Sequence, residues 1–305
     1  MRSTLYLLFL SLLWGSSFLW TKQLLNYFQP TTIVFLRCLF GMIALLPFLL
    51  FSKVKLDLKV QPKFLLVVAL AAAIPWNFMG FALQGIDSGL SGILNATTPL
   101  FAVLFSIVLL KIKPLRNQIF SLLIGFIAVV ILMFFSGQAI GSQFSIAHAL
   151  LMFGVTSCYA LNSIFVNKYY TTVPPLHLSF WTLAIAIMIN GPISLLMEPK
   201  AMLTVGTPSV FLSLLVLGSL SSGLGYVIFY VINSASGPIF AVMVTFIVPF
   251  VSILLGVIFL NEPLHIGIAI GLPLIVTSLF LMNFHSIKFR KVVESAPGKF
   301  DDDFS

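Results

Sequence analysis

Residues 88–110 read SGLSGILNATTPLFAVLFSIVLL, and residues 237–260 read GPIFAVMVTFIVPFVSILLGVIFL. Each is a largely apolar run with a proline in its middle, Pro99 in one and Pro249 in the other. About 20 apolar residues make one helix long enough to cross a bilayer. Backbone groups in hydrocarbon have no water to bond, so such a run crosses as a helix. A mid-helix proline removes one donor and pushes away the carbonyl four residues earlier. That carbonyl belongs to Asn95 in the first stretch and to Thr245 in the second. Each opening bends its helix; the freed acceptor is either satisfied by a nearby hydroxyl or amide, or offered to a solute.

The same kind of run recurs on both sides of these stretches. Runs of spanning length lie at Thr4 to Leu25, Thr32 to Phe51, Phe64 to Gly85, Ser88 to Leu110 and Asn117 to Phe135. Further runs lie at Ile146 to Tyr169, Pro175 to Met197, Ser209 to Ile232, Gly237 to Leu260 and His265 to Phe284. The fold class expected is an all-α integral membrane protein with ten transmembrane helices. Composition agrees, since 60% of the 305 residues are hydrophobic and 8% are charged, against about 25% charged in a soluble domain. The first run is too long for a signal peptide, lacks an Ala-x-Ala-like exit, and is followed at once by another apolar run.

The basic residues orient the chain. With the amino terminus inside, the cytoplasmic segments hold Arg2; Lys53, Lys55, Lys59 and Lys63; Lys111, Lys113 and Arg116; Lys168; and Lys288, Arg290, Lys291 and Lys299. The opposite side holds Lys22 and Lys200, so the positive-inside rule puts both termini in the cytoplasm of a multi-pass cell-membrane protein. The formal charge of +8 thus reads as topology, and no nucleic-acid partner is expected. Residues 288–305 form a polar cytoplasmic tail ending in Asp301, Asp302 and Asp303, expected to be disordered.

Self-similarity between halves marks many transporter folds. Pro47 and Pro192, Pro99 and Pro249, Lys22 and Lys168, and Gly125 and Gly271 recur in order, at offsets of 145, 150, 146 and 146 residues. The reading is a duplicated five-helix unit, residues 1–140 and 141–287. An odd number of crossings reverses the second copy, which makes the units inverted repeats with a solute site near the midplane between them.

Polar and aromatic residues within the runs mark that site. The first run carries Trp14 and Ser17, the third Trp76 and Asn77, the fourth Asn95 and Thr98, the sixth Tyr159 and Asn162, the eighth Tyr226 and Tyr230, and the ninth Thr245. An indole at mid-span lies away from the interfacial belt, so Trp14 needs a polar partner or a wet cavity. Aromatic walls with a few hydrogen-bonding groups are the usual make-up of a small-molecule site, and these residues are the expected substrate-binding set. Arg37 is the one charge well inside a run. An intramembrane charge marks a functional site by default, here for anion attraction or gating. Alternatively, Arg37 lies about 9 Å from the outer end at 1.5 Å per residue and snorkels to the interface as a structural anchor.

Other chemistry is not suggested. Cys38 and Cys158 sit in apolar runs as packing residues. His148, His177, His265 and His285 lie singly near run ends, without the spacing of a metal or acid–base site. Asp57, Asp87, Glu198, Glu262 and Glu294 fall in loops or at run ends, leaving no mid-membrane carboxylate as a proton relay. Facilitated diffusion, exchange or coupling through a less obvious group is favoured accordingly. No Gly-Lys-Ser/Thr phosphate loop points to an ATP-driven pump. No cofactor or metal is expected.

Four strings carry a family resemblance: LLWGSSF (Leu12 to Phe18), FLRCLFG (Phe35 to Gly41), GLSGILNATTPLF (Gly89 to Phe101) and VPFVSILLGVIFLNEPL (Val248 to Leu264). By their order and spacing the chain resembles the drug/metabolite transporter superfamily, and within it the EamA-like ten-helix transporters, over about Thr4 to Phe284. The resemblance implies an alternating-access carrier of two inverted repeats, often exporting amino acids or other metabolites. Two departures stand out. The Asn-Glu-Pro turn after the ninth run has no acidic counterpart in the first half, where Lys111, Ile112 and Lys113 stand, and Tyr159-Ala160 stands where the first run has Trp14-Gly15.

The expected function is therefore transport of a small organic metabolite, an amino acid or drug-like solute, in the export direction. Its partners are that solute and the lipid bilayer, and the protein is a monomer or weak homo-oligomer. The alternative is an intramembrane enzyme acting on a lipid-linked substrate, which would need a His, Asp, Glu or Cys constellation at one membrane face.

Overall fold

The computed structural model describes residues 2–51, 62–110, 116–136, 144–170, 173–236, 244–264 and 266–283. Among them the chain is helical, apart from an isolated antiparallel bridge between Ile86 and Phe144. The helices are α1 (Arg2–Leu24), α2 (Pro30–Phe51), α3 (Pro62–Ala69), α4 (Pro75–Ala82), α5 (Ser88–Asn95), α6 (Thr98–Leu110) and α7 (Arg116–Ser136). They continue as α8 (Ile146–Tyr169), α9 (Pro175–Met197), α10 (Ala201–Thr204), α11 (Pro208–Leu214), α12 (Gly225–Ser236), α13 (Val244–Leu260) and α14 (Ile266–Asn283), with a wide π-helical segment over Leu215–Leu224. The loop at Lys111 to Lys113, residues 237–243, and the tail with its Lys288 to Lys291 and Asp301 to Asp303 clusters lie outside the described residues.

Six segments are long and apolar enough to cross a membrane: Leu5–Leu24, Pro30–Phe51, Ser88–Leu109, Ile146–Val166, Pro175–Met197 and Pro208–Ala235. Shorter apolar helices cover Ile119–Leu132, Ile247–Leu260 and Ile266–Ser278. The distribution of side chains suits lipid. Phe51, Phe126, Phe134, Leu196 and Leu254 stand exposed, while Ser11, Thr32, Asn190, Ser194 and Ser278 are buried. A soluble protein sorts these types the other way; in a bilayer, polar side chains turn inward and bond between helices. Ser194 Oγ donates to Thr32 Oγ1 at 2.9 Å, joining α9 to α2.

Helices α7 and α14 are clasped by a reciprocal pair. Ser121 Oγ donates to the Ser278 carbonyl at 2.6 Å, and Ser278 Oγ donates to the Ser121 carbonyl at 2.7 Å. Interhelical bonds in membranes average about 0.6 kcal/mol. Ser121→Ala and Ser278→Ala are each expected to lose about 0.6 kcal/mol of unfolding free energy in a detergent titration, and the double variant about twice that. A double variant as stable as the parent would deny the clasp any net contribution.

Three of the expected continuous helices are interrupted. The third run breaks over residues 70–74, between α3 and α4. Pro75 cannot donate to Ala71, the carbonyl four residues back, and Tyr226 on α12 donates its hydroxyl to that carbonyl instead. The Ala71 amide bonds Val68, and Asn162 Nδ2 on α8 donates to the Val67 carbonyl at 2.7 Å. The fourth run opens at Ala96 and Thr97, where amides turn to carbonyls three residues back. Thr98 Oγ1 donates to the Asn95 carbonyl freed by Pro99 at 2.7 Å, so that backbone acceptor is satisfied locally. The ninth run stays helical across Pro249.

The eighth run holds the π-helical segment. There Ser222 Oγ bonds the Leu217 carbonyl, five residues back, at 2.8 Å. The same segment meets α2 backbone to backbone. A Cβ on Gly41 would lie 2.9 Å from the Gly218 carbonyl, and one on Gly223 would lie 2.8 Å from the Gly41 carbonyl. Such an approach requires glycine on both sides.

The loop after α13 returns to the first half of the chain. Asn261 adopts φ 54°, a left-handed conformation that asparagine tolerates. Glu262 then accepts from the Ser88 amide at 2.7 Å, the Ser88 hydroxyl at 2.8 Å and the Gly89 amide at 3.0 Å. A carboxylate from a distant loop thus serves the unpaired amides at the start of α5, where the helix dipole favours negative charge. Nearby, Lys22 Nζ donates to the Leu83 and Ile86 carbonyls, each at 2.8 Å.

Candidate functional site

A cavity of about 70 Å³ lies where α1, α2, α4, α8, α12 and α13 face the opening between α5 and α6. Its lining is Trp14, Ser17, Phe18, Arg37, Trp76, Met79, Asn95, Thr98, Tyr159, Asn162, Ser163, Tyr226, Phe229, Val244 and Thr245. The interruptions described above shape it. Tyr226 and Asn162 reach across to the carbonyls that the break between α3 and α4 releases, and this fixes α12 and α8 against that break.

The aromatic walls are tied down in the same way. Trp14 Nε1 donates to the Ser221 carbonyl at 3.1 Å, and Ser221 Oγ returns a bond to the Leu13 carbonyl at 2.8 Å. Trp14 therefore has both the polar partner and the cavity that its mid-span position demands. Its ring lies 5.1 Å from Phe229 and 5.9 Å from Tyr226, and Trp76 lies 5.6 Å from Tyr226. Spacings of this order suit tilted aromatic packing.

Arg37 has not snorkelled. The residue is 2% exposed, its Cζ stands 3.6 Å over the Trp76 ring centre, and its Nε donates to Ser222 Oγ at 3.0 Å. Its distance along the helix axis suggested an interfacial anchor; its direction around the axis, toward Trp76 and the π-helical segment, brings it into the cavity. Among the described residues that line it, none is acidic. Asn95 Oδ1 is buried and has no hydrogen-bond partner among the described residues.

Asn77 and Tyr230 are not part of this lining. Asn77 follows Trp76 by one residue, about 100° around the helix. Its Nδ2 donates to Asn190 Oδ1 at 2.6 Å and to the Ala73 carbonyl at 2.7 Å, while its Oδ1 accepts from Thr31 at 2.9 Å. Tyr230 lies one turn beyond Tyr226, with its hydroxyl 3.2 Å from that of Thr182. Phe18, Met79, Ser163, Phe229 and Val244 line the cavity and lie outside the expected set. Met79 and Phe229 stand three residues after Trp76 and Tyr226, a same-face spacing that marks them once those two are placed.

Comparison with known proteins gives a family. The model of the EamA-like transporter family matches residues 1–134 and again residues 146–284. The chain is 27% identical over 290 residues to the uncharacterized transporter YvbV of Bacillus subtilis (strain 168), covering 93% of this chain and 92% of that one. It is 23% identical to protein PecM of Dickeya dadantii (strain 3937), covering 91% of each chain. It is 25% identical to the uncharacterized transporter YoaV of Bacillus subtilis (strain 168), over 92% of this chain and 96% of that one. One crystal structure shares the fold with a TM-score of 0.67 at 19% identity, over 95% of this chain and 98% of its own.

Proposed function

Because this chain belongs to the EamA-like transporter family, and so is a membrane transporter rather than an enzyme, we propose that it carries a small organic solute through the central cavity by alternating access, in the export direction. In this reading the chain makes ten crossings as two inverted five-helix units, residues 1–140 and 141–287, with both termini in the cytoplasm of the cell membrane. The two successive family matches support the duplication.

The observation that carries the proposal is the cavity lined by both halves, with a buried acceptor, Asn95 Oδ1, unpaired beside it. An unpaired buried polar atom is costly, and a bound solute or water relieves it. At about 70 Å³, the cavity is far below the roughly 300 Å³ at which drug-sized pockets begin. That volume suits a small solute or a contracted conformer. The interrupted helices give the motion a structural basis, since non-helical backbone at membrane depth is tolerated where it is buried or lines a cavity.

The test uses purified protein in liposomes, with a metabolite panel presented from either side. Asn95→Cys and Thr245→Cys are made with Cys38 and Cys158 replaced, and treated with a membrane-impermeant thiol reagent. Transport of at least one solute is expected, with both cysteines labelled and that solute slowing the labelling. If no solute moved and neither position reacted, the carrier reading would be withdrawn.

A further inference from the structure

Resting on the carrier reading, we propose that the transported solute is a small monovalent carboxylate, bound by its carboxylate group to the Arg37 guanidinium. Arg37 is a buried cation with no carboxylate partner among the described residues. The three described acidic residues are engaged elsewhere: Glu262 at the start of α5, Glu198 on the Gln29 amide at 2.9 Å, and Asp87 in the neighbourhood of Lys22.

A lone ion inside the hydrocarbon carries a large desolvation penalty. The Trp76 face offsets part of it, and Ser222 engages Nε. Nε is the guanidinium nitrogen with a hydrogen bond inside the protein, so the terminal fork remains for a ligand in the cavity that Arg37 lines. A planar fork of parallel N–H groups matches the two oxygens of a carboxylate.

The charge count sets the valence. One cation and no acidic residue among the described lining residues become neutral with one monoanion, whereas a dicarboxylate or phosphate dianion would leave net negative charge in the membrane. The rings of Trp14, Tyr226 and Phe229 give the body of the solute an apolar surround. In this conformer the cavity of about 70 Å³ matches a short chain.

The experiment titrates the full chain in lipid nanodiscs with sodium salts of two- to six-carbon monocarboxylates, and with their methyl esters, the matching amines and orthophosphate. Tryptophan fluorescence and thermal midpoint report binding, and the same compounds are offered to proteoliposomes. Monocarboxylates are expected to bind at least 100-fold tighter than their esters. Arg37→Gln is expected to lose that preference 100-fold or more, and Arg37→Lys to keep part of it. Orthophosphate binding tighter than every carboxylate, or carboxylate binding unchanged by Arg37→Gln, overturns the proposal. If Arg37→Gln does not fold, the acid-to-ester ratio of the parent protein decides alone. Transport of amines or esters with carboxylates excluded keeps the carrier and removes the carboxylate; no transport and no binding removes both.

Discussion

Glu262→Ala is expected to lower the unfolding free energy by about 2–4 kcal/mol, measured by detergent titration of the protein in bicelles. The carboxylate accepts three hydrogen bonds at the start of α5. A bond to a charged group contributes about 1.5–3 kcal/mol, and charge at a helix terminus adds about 0.3–1 kcal/mol. Glu262 is partly exposed, so water recovers some of this loss. Glu262→Gln retains an acceptor without the charge and is expected to fall about halfway. A second route to the same result keeps Glu262 in the sequence but displaces its carboxylate. A Cβ on Gly256 would run into Glu262 Oε2 and lie 2.7 Å from Ser88 Oγ, so Gly256→Ala should push the carboxylate away and match Glu262→Ala in sign. A stable Glu262→Ala protein would show that the three bonds add nothing net.

The second large effect is expected where α2 meets the π-helical segment. At Gly41 and Gly223 the atoms that a new Cβ would meet are backbone, at 2.8–3.4 Å, apart from one contact with Leu183. No side chain can rotate away to make room. Overpacking a tight interior typically costs about 1–3 kcal/mol and occasionally more, and these positions belong at the upper end. Gly223→Val should cost at least about 3 kcal/mol or prevent accumulation of folded protein, read by size-exclusion chromatography. Gly206 supplies the control. A Cβ there would meet nothing nearer than the Leu203 carbonyl at 3.9 Å, and Gly206→Ala should stay within about 0.5 kcal/mol of the parent. Equal behaviour of the two variants would sink the packing argument.

How much of this could be read in advance depended on which coordinate of a helix was asked about. Position along the axis was legible: α1, α2, α8 and α9 begin and end close to the apolar runs that foretold them. The opening at Pro99 and the need of Trp14 for a partner followed from elementary backbone and indole chemistry. Direction around the axis was not legible. In a soluble helix the apolar stripe shows which face is buried, but a membrane helix is apolar toward lipid and toward its neighbours alike. Depth alone therefore leaves the facing of Arg37 open, and residue type alone does not separate Asn77 and Tyr230 from the residues that line the cavity. The break at Pro75 was readable with the rule applied to Pro99; its consequence, the hydroxyl of Tyr226 on the Ala71 carbonyl, was not. Nor was the π-helical segment, whose glycines meet a helix far away in the chain.

That segment also governs how the gene can change. Each residue of an α-helix advances the chain by about 100°, whereas wide turns spend more residues per revolution. The count of residues over Leu215–Leu224 therefore sets the angular phase at which α12 emerges, and with it the turning of Tyr226 and Phe229 toward the cavity. Substitutions there that spare its glycines leave the phase intact. A deletion of one residue rotates everything downstream by about a quarter of a revolution, so this stretch tolerates replacement of letters far better than a change of length.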